Sequence, residues 1–196
     1  MDRKATIERK TNDTDITVSV NLDGQGLACV ATGIGFFDHM LNLLAKHSLI
    51  NINVRCDGDL QIDGHHSVED IGIALGKAIA EAVGDKRGIF RYGNFIAPMD
   101  EACVMTAIDI SGRGGLFMDL PVSAPMVGDF DTELVEEFFV ALCNNAGINA
   151  HIKLIAGSNG HHIIECAFKS FAKSLRAAVS KDPRNDDIPS TKGRLV

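Results

Sequence analysis

The sequence predicts an α+β fold made of two tandem copies of a β-β-α-β-α unit, with helices packed on one face of each sheet. In both halves, segments with alternating apolar residues precede helices that carry one apolar stripe, in the same order. Each half also has the motif His-His-x-x-Glu where its last helix starts. We expect the halves to span residues 1–92 and 93–196 and to pack as one compact unit.

The elements of the first half follow from apolar spacing. Residues 6–10 and 16–22 predict strands, and Asp-Gly-Gln-Gly at 23–26 predicts the turn that follows. A helix is predicted over 36–46, a strand over 49–56 and a second helix from His65. In the second half, the corresponding predictions are a strand over 104–110, a helix over 132–145, a strand over 148–156 and a helix from His161.

Composition narrows the class of protein. The chain is 45% hydrophobic and 23% charged, which is ordinary for a globular domain. Its net charge of -7 argues against duplex nucleic acid as the main partner, although a few Arg and Lys side chains can still bind a small anion. Five cysteines without a C-x-x-C motif indicate neither a disulfide framework nor a structural zinc site. No apolar run approaches about 18 residues, so we expect a cytoplasmic protein and no membrane partner.

Four of the seven histidines form two pairs, in His65-His66-x-x-Glu69 and His161-His162-x-x-Glu165. Adjacent residues diverge by about 100° around a helix, so each pair is suited to give one imidazole to each of two ions. The glutamates share a helix face with the histidines three or four positions earlier. Two such motifs predict two metal sites, and imidazole with carboxylate suits zinc, manganese, iron or nickel.

His39 lies in the predicted helix over 36–46, which is apolar on nearly all sides. We therefore expect His39 to be buried. A buried imidazole needs a hydrogen-bond partner or a metal ion.

The chain resembles the imidazoleglycerol-phosphate dehydratases from about Arg9 to its C-terminus. The resemblance rests on Phe-Phe-Asp-His-Met-Leu at 36–41, both His-His-x-x-Glu motifs, Pro-Met-Asp-Glu-Ala at 98–102, Ser-Gly-Arg at 111–113 and Pro-Ser-Thr-Lys-Gly at 189–193. It implies a lyase of histidine biosynthesis that converts imidazole glycerol phosphate into imidazole acetol phosphate. The implied fold is a duplicated unit like the second domain of ribosomal protein S5.

The resemblance also implies an assembly and a mechanism. It implies a homo-oligomer of 24 subunits whose active sites lie between subunits and hold two manganese ions each. The reaction would pass through an imidazolate and a diazafulvene-like intermediate.

Site residues are carried over position by position. The implied metal ligands are His39, His65, His66, Glu69, His161, His162 and Glu165. The implied substrate and phosphate contacts are Asp13, His47, Arg91, Arg113, Lys169, Ser190, Thr191 and Lys192. The candidates for general acid or base are Glu165, Glu69, Asp13 and Glu101, and their roles stay open at this point.

The chain departs from the family pattern at three positions. Glu137 occupies the place that His39 has in the repeat, where many relatives have histidine, so it either replaces that ligand or leaves the site without it. Asp13 is one methylene shorter than the glutamate expected there, and Leu43 stands where some relatives have a polar residue.

Three other functions compete with the dehydratase. A metal-storage assembly would use the same histidines but would not need cations converging on one anion. A metal-dependent phosphohydrolase would be expected to use a cluster of Asp ligands, which the sequence lacks. A nucleotide-binding kinase is disfavoured because no P-loop motif is present.

Overall fold

The computed structural model describes residues 3–195. The first half contains β1 (Lys4–Lys10), β2 (Thr14–Asn21), β3 (Ala28–Ala31), α1 (Gly35–Ser48), β4 (Asn51–Gly58) and α2 (His65–Val83). The second half contains β5 (Tyr92–Met99), β6 (Ala102–Asp109), β7 (Gly115–Asp119), β8 (Met126–Val127), β9 (Phe130–Asp131), α3 (Leu134–Ala146), β10 (Asn149–Ala156) and α4 (Gly160–Val179).

The two halves form sheets of equivalent topology. The strand orders are β1-β2-β4-β3 and β5-β6-β10-β7. In each sheet the last strand runs parallel to its neighbour, and the other pairs are antiparallel. The predicted α+β fold with an internal repeat is confirmed.

Each repeat has one strand more than the predicted β-β-α-β-α unit. The additional strands, β3 and β7, are short and lie at a sheet edge. In β7, Leu116 and Met118 pack against the core while Phe117 between them is exposed. Neither strand alternates apolar with polar residues, so neither gives a period-2 signal in the sequence. The second half also has the short β8–β9 hairpin, which has no counterpart in the first half.

The helices of both halves form the middle of the molecule. Helix α2 packs on β1 and β2, and α4 packs on β5 and β6. Each helix also crosses into the other half, because α1 packs against α4 and α2 against α3. On β2, Ile16, Val18 and Val20 point into this core, and the residues between them are exposed or half-buried.

Aromatic rings join the two halves at the centre of the core. Phe138 of α3 lies 5.2 Å from Phe37 of α1 and 5.4 Å from Phe168 of α4, measured between ring centroids. Phe139 lies 4.9 Å from Phe171. Burying a side chain of this size stabilises the fold by about 1.5–3 kcal/mol. The contact between Phe37 and Phe138 joins the two halves, and the other two contacts join α3 to α4 within the second half.

Helices α2 and α3 approach so closely that two positions in α2 require glycine. A Cβ atom at Gly76 would lie 2.5 Å from the carbonyl oxygen of Leu142, and one at Gly72 would lie 2.8 Å from that of Phe138. Both atoms belong to the α3 backbone, which cannot turn aside as a side chain can. Glycine here fixes the spacing between the halves.

We predict that Gly76→Ala lowers the free energy of unfolding by about 1–3 kcal/mol, because it forces α2 and α3 apart. In an exposed helix, replacing Gly with Ala would raise the free energy of unfolding by up to about 1 kcal/mol. The sign of the change therefore distinguishes close packing of α2 on α3 from helix propensity alone. Gly35→Ala is the control, because a Cβ atom at Gly35 meets nothing within 4 Å. Chemical denaturation measures both, and an unchanged midpoint for Gly76→Ala would contradict the prediction.

Candidate metal and active site

The first histidine of each His-His-x-x-Glu motif lines one cavity. This cavity, of about 920 Å³, lies where the first turns of the four helices meet the β8–β9 hairpin. His65 at the start of α2 and His161 at the start of α4 both line it. The structure thus brings together the leading histidines of motifs that are far apart in the sequence.

The two imidazoles of each pair diverge, as the helix geometry predicts. The ring centroids of His65 and His66 are 6.3 Å apart with an interplanar angle of 89°, and those of His161 and His162 are 6.1 Å apart at 84°. The histidines of the second pair face different carboxylates. His161 contacts Glu165, whereas His162 contacts Glu101.

His39, His161 and Glu165 form a compact group of possible metal ligands. One Glu165 carboxylate oxygen lies 3.1 Å from Nε2 of His161 and 3.5 Å from Nε2 of His39. One ligand atom from each residue lies within 4.8 Å of the others. His39 comes from α1 and the other two from α4, so the group depends on the packing of α1 against α4.

The expectation that His39 is buried is wrong, because its side chain is 49% exposed. Helix α1 has one solvent-facing side, on which His39 and Asn42 lie, while Phe37, Met40 and Leu41 face the core. The sequence looks apolar all round because Leu43 on the outer side is only partly buried. The imidazole of His39 is therefore open to solvent on one side and faces Glu165 on the other.

Glu165 is held in its ionised form. Burial raises its pKa, but hydrogen bonds from Lys169, His161 and His39 outweigh burial and lower the pKa below the ordinary value. The Lys169 ammonium lies 2.6 Å from the second carboxylate oxygen. At neutral pH the carboxylate is negatively charged and available as a ligand.

The donor set of this group fits a divalent metal ion. Two imidazole nitrogens and one carboxylate oxygen around a common point are typical ligands of first-row metals such as manganese or iron, and leave further coordination positions open. A structural zinc site would instead use four protein ligands, often thiolates. The exposed side of His39 leaves room for a substrate.

The second histidine of each pair is oriented by a carboxylate. Nδ1 of His66 lies 2.9 Å from Asp59, and Nδ1 of His162 lies 2.8 Å from Glu101. Contact with Nδ1 leaves Nε2 free to bind a metal ion. The hydrogen bond with Asp59 raises the pKa of His66, and that with Glu101 raises the pKa of His162. Hydrogen bonds from His162 and from the Asn159 backbone lower the pKa of Glu101 to about 2.

Asp59 was not among the predicted site residues. It lies in the connection between β4 and α2, where acidic residues are common and no motif marks it. With Asp13 and His66 it forms a second group of possible ligand atoms within 4.8 Å of one another. The repeat does not predict it either, because Glu101 lies between β5 and β6 whereas Asp59 follows β4.

The predicted phosphate contacts fall into two groups. His47 and Lys169 lie near Glu165, between α1 and α4, and burial together with the charges of Lys169 and Lys173 lowers the pKa of His47. The other group, at the far end of α4, contains Arg91, Arg113, Ser190, Thr191 and Lys192.

Arg91 holds the C-terminal segment in place. Its guanidinium pairs with Asp109 at 2.7 and 3.1 Å and donates to the carbonyl of Pro189 at 2.9 Å. The Arg91 backbone N–H bonds to Ala178 of α4. Positions 169 and 178 are about 14 Å apart along the helix axis. Within one chain, the two groups of cations therefore do not converge on one anion.

Comparison with known proteins identifies the family. A sequence model of the imidazoleglycerol-phosphate dehydratases matches residues 32–175. The imidazoleglycerol-phosphate dehydratases of Dinoroseobacter shibae and Desulforamulus reducens are 59% and 57% identical, covering 98% and 100% of this chain and the whole of each relative. The chain belongs to the imidazoleglycerol-phosphate dehydratase family.

Solved structures of the dehydratase family share the fold. The enzyme of Staphylococcus aureus has a TM-score of 0.84 at 40% identity and covers 91% of this chain and 99% of its own. That of Pyrococcus furiosus, in complex with (S)-C348, has a TM-score of 0.83 at 34% identity, with 96% and 100% covered. The expected enzyme class is confirmed: the chain is a hydro-lyase of histidine biosynthesis. Among residues 3–195, no helix is long and apolar enough to cross a membrane.

Glu137 is the position at which the family resemblance predicts a histidine in many relatives. It lies on α3, which packs against α2, and it lines the cavity together with His65. Within the described part of the chain, it belongs to no group of three ligand atoms as compact as that of His39, His161 and Glu165. Metal binding by Glu137, His65 and Glu69 stays a prediction.

We expect the metal-free chain to bind Mn²⁺ in a calorimetric titration, and His161→Ala to weaken this binding by roughly tenfold or more, because it removes one of three converging ligands. His151→Ala is a matched control, since His151 stacks on Phe117 on a different part of the surface. Equal affinities for the two variants would rule out the proposed ligand group.

Proposed function

We propose that this chain converts imidazole glycerol phosphate into imidazole acetol phosphate in the cytoplasm, using two manganese ions in each active site. The observation that carries the proposal is the convergence of His39, His161 and Glu165 in a chain of this family. These three residues would hold one ion. The remaining predicted ligands, His65, His66, Glu69 and His162 with Glu137, would complete the coordination of the two ions, with one imidazole of each pair going to each ion.

Bound manganese would act as a Lewis acid, stabilising negative charge on the imidazole ring of the substrate. The hydroxyl leaves from the carbon next to that ring, and the neighbouring C–H loses a proton. Groups of the protein must therefore give a proton to the departing hydroxyl and accept one from carbon.

The contacts of the site suggest how the four candidate carboxylates divide their roles. Glu101 lies 2.8 Å from Nδ1 of His162, so we assign it to orienting that histidine. Glu165 is ionised and faces both His39 and His161, which suits a metal ligand. Asp13 and Glu69 remain as candidates for proton transfer.

The separation of the cations supports an active site shared between subunits. Lys169 and the backbone partner of Arg91 are about 14 Å apart along α4, and the phosphate of the substrate is one small group, so we assign these cations to phosphate contacts made from different subunits. In an assembly, the Arg91 end of one subunit could meet the Lys169 end of another. We therefore propose a homo-oligomer, with 24 subunits as the family resemblance implies.

Exposed apolar side chains also favour assembly. The strands of the second sheet carry large side chains that are more than half exposed: Tyr92 (57%), Ile96 (54%), Phe117 (56%) and Ile155 (56%). The described strands of the first sheet carry none. Apolar exposure on this scale is typical of a surface that another protein covers.

The proposed activity predicts that the chain forms the ketone product from imidazole glycerol phosphate with Mn²⁺ present, and that a chelator abolishes the reaction. Glu165→Gln keeps the shape of the side chain but removes its charge, so we expect the variant to fold and lose most turnover. Product formation can be followed by absorbance or mass spectrometry. Absence of product with Mn²⁺ present would refute the proposed activity. Normal turnover by Glu165→Gln would refute the role assigned to Glu165.

The proposed assembly predicts that Ile96→Glu yields smaller particles than the wild-type chain in sedimentation velocity, because it places a charge in an apolar contact. Thr17→Glu adds the same charge on an exposed position of the first sheet and should leave the particle size unchanged. A monomeric wild-type chain that turns over substrate would overturn the shared active site.

A further inference from the structure

A buried carboxylate with no part in the chemistry described above lies on α2. Asp70 is 7% exposed and follows Glu69 directly. One of its oxygens accepts a hydrogen bond of 2.6 Å from the hydroxyl of Thr14, and the other accepts one of 2.7 Å from Arg9. Asp70 thus joins α2 to the hairpin formed by β1 and β2.

The contact continues into the tip of that hairpin, the turn formed by residues 11–14. The hydroxyl of Thr11 contacts that of Thr14 at 3.2 Å and accepts the backbone N–H groups of Asp13 and Thr14, at 3.1 and 3.0 Å. These bonds fix the backbone on both sides of Asp13. The position of Asp13, a candidate for proton transfer, therefore depends on Asp70 through two threonine hydroxyls.

The chain of hydrogen bonds returns to the same helix. The carbonyl of Asp13 accepts the backbone N–H of Asp59 at 3.1 Å, and the carboxylate of Asp59 contacts His66 at 2.9 Å. His66 and Asp70 are four positions apart and share one face of α2. These contacts close a ring along the chain and through hydrogen bonds, and this ring includes His66, a predicted metal ligand, and Asp13, a candidate for proton transfer.

The other half of the molecule packs the corresponding elements without this ring. The counterpart of Asp70 is Cys166, a buried thiol 3.8 Å from the carbonyl of Ala102, and Glu101 reaches His162 directly. In the second half, apolar packing and hydrogen bonds between uncharged groups, such as that between Thr106 and Ser170, hold the hairpin against its helix. This fold can therefore join a hairpin to its helix without a buried ion pair. A buried ion pair rarely stabilises a protein more than apolar side chains of similar size, so stability alone does not account for the charges of Asp70 and Arg9.

We propose that Asp70 is a positioning residue, which acts through Thr14 and the 11–14 turn to set the places of Asp13 and His66 in the active site. This inference rests on the proposed function, because it needs an activity that Asp13 and His66 support. Asp70 itself touches neither substrate nor metal in this scheme. Its contacts also contribute to the stability of the fold, so the effect on the rate is measured in variants that remain folded.

The test compares two isosteric substitutions of buried threonines. Thr14→Val removes the hydroxyl that binds Asp70, whereas Thr106→Val removes one that binds Ser170 at 2.6 Å in the second half, away from the ring. We expect Thr14→Val to lower kcat by about 10–100-fold with a smaller change in KM. Thr106→Val should keep kcat, and Thr14→Ser, which restores the hydroxyl, should recover most of it.

Asp70→Asn provides a second route, because it keeps the shape of the side chain and removes its charge. Its loss of kcat should resemble that of Thr14→Val. Combining Thr14→Val with Asp13→Asn should cost little more than Asp13→Asn alone, because both act through one group. Full kcat in Thr14→Val, an equal loss in Thr106→Val, additive losses in the combination or no recovery by Thr14→Ser would each overturn the proposal.

Hydrogen exchange separates this proposal from the proposed function, because it needs no turnover. In Thr14→Val and Asp70→Asn, we expect faster exchange of the backbone amides in the 11–14 turn, while core amides of β2 and α2 keep their protection. A wild-type chain without dehydratase activity would refute the proposed function. Unchanged exchange in the turn would refute the ring of hydrogen bonds, whatever the activity.

Discussion

The packing of each half's helices on those of the other half is the constraint on which the rest of the molecule depends. Each helix has one side on its own sheet and needs an apolar partner for the other. Helix α1 packs its second apolar side against α4, and α2 packs its own against α3. The first of these contacts brings His39 to Glu165, and the aromatic cluster around Phe138 buries the same interface. The packing of helices between the halves therefore forms part of the core and also brings the ligand group together.

The sequence predicts much of this arrangement where a repeated pattern marks it. The paired motifs predict both the internal repeat and the start of α2 at His65, because side-chain chemistry and helix periodicity agree there. Strands β3 and β7 escape prediction because they are short and do not alternate apolar with polar residues. The exposure of His39 escapes prediction because Leu43, on the outer side of α1, makes that helix look apolar all round in the sequence.

Contacts between side chains that are distant in the sequence are harder to predict than helices and strands. Asp59 has no spacing relative to His66 that a helix or strand would impose, since a loop separates them. The cations assigned to the phosphate form one set in the sequence but lie at both ends of α4 in the structure. Sequence motifs state which residues a family uses and leave open whether one chain or two supply them.

The two halves have the same topology but have not kept the same chemistry. Glu137 stands where the repeat has His39, and Asp59 orients His66 as Glu101 orients His162, although it comes from a different loop. The buried partner on the helix is Asp70 in one half and Cys166 in the other. The carboxylates around the histidines therefore differ between the halves, and any ions bound near the two motifs would experience different fields.

Because His39 comes from one half and Glu165 from the other, neither half alone contains the whole ligand group of His39, His161 and Glu165. A single ancestral unit would have needed to associate with a second copy to form it, and the site would have vanished on dilution. Joining the copies in one chain replaces that association with an intramolecular contact at high effective concentration. Fusion also allows the two halves to acquire different residues. A substitution such as that at Glu137 now changes the second half and leaves the first half unchanged.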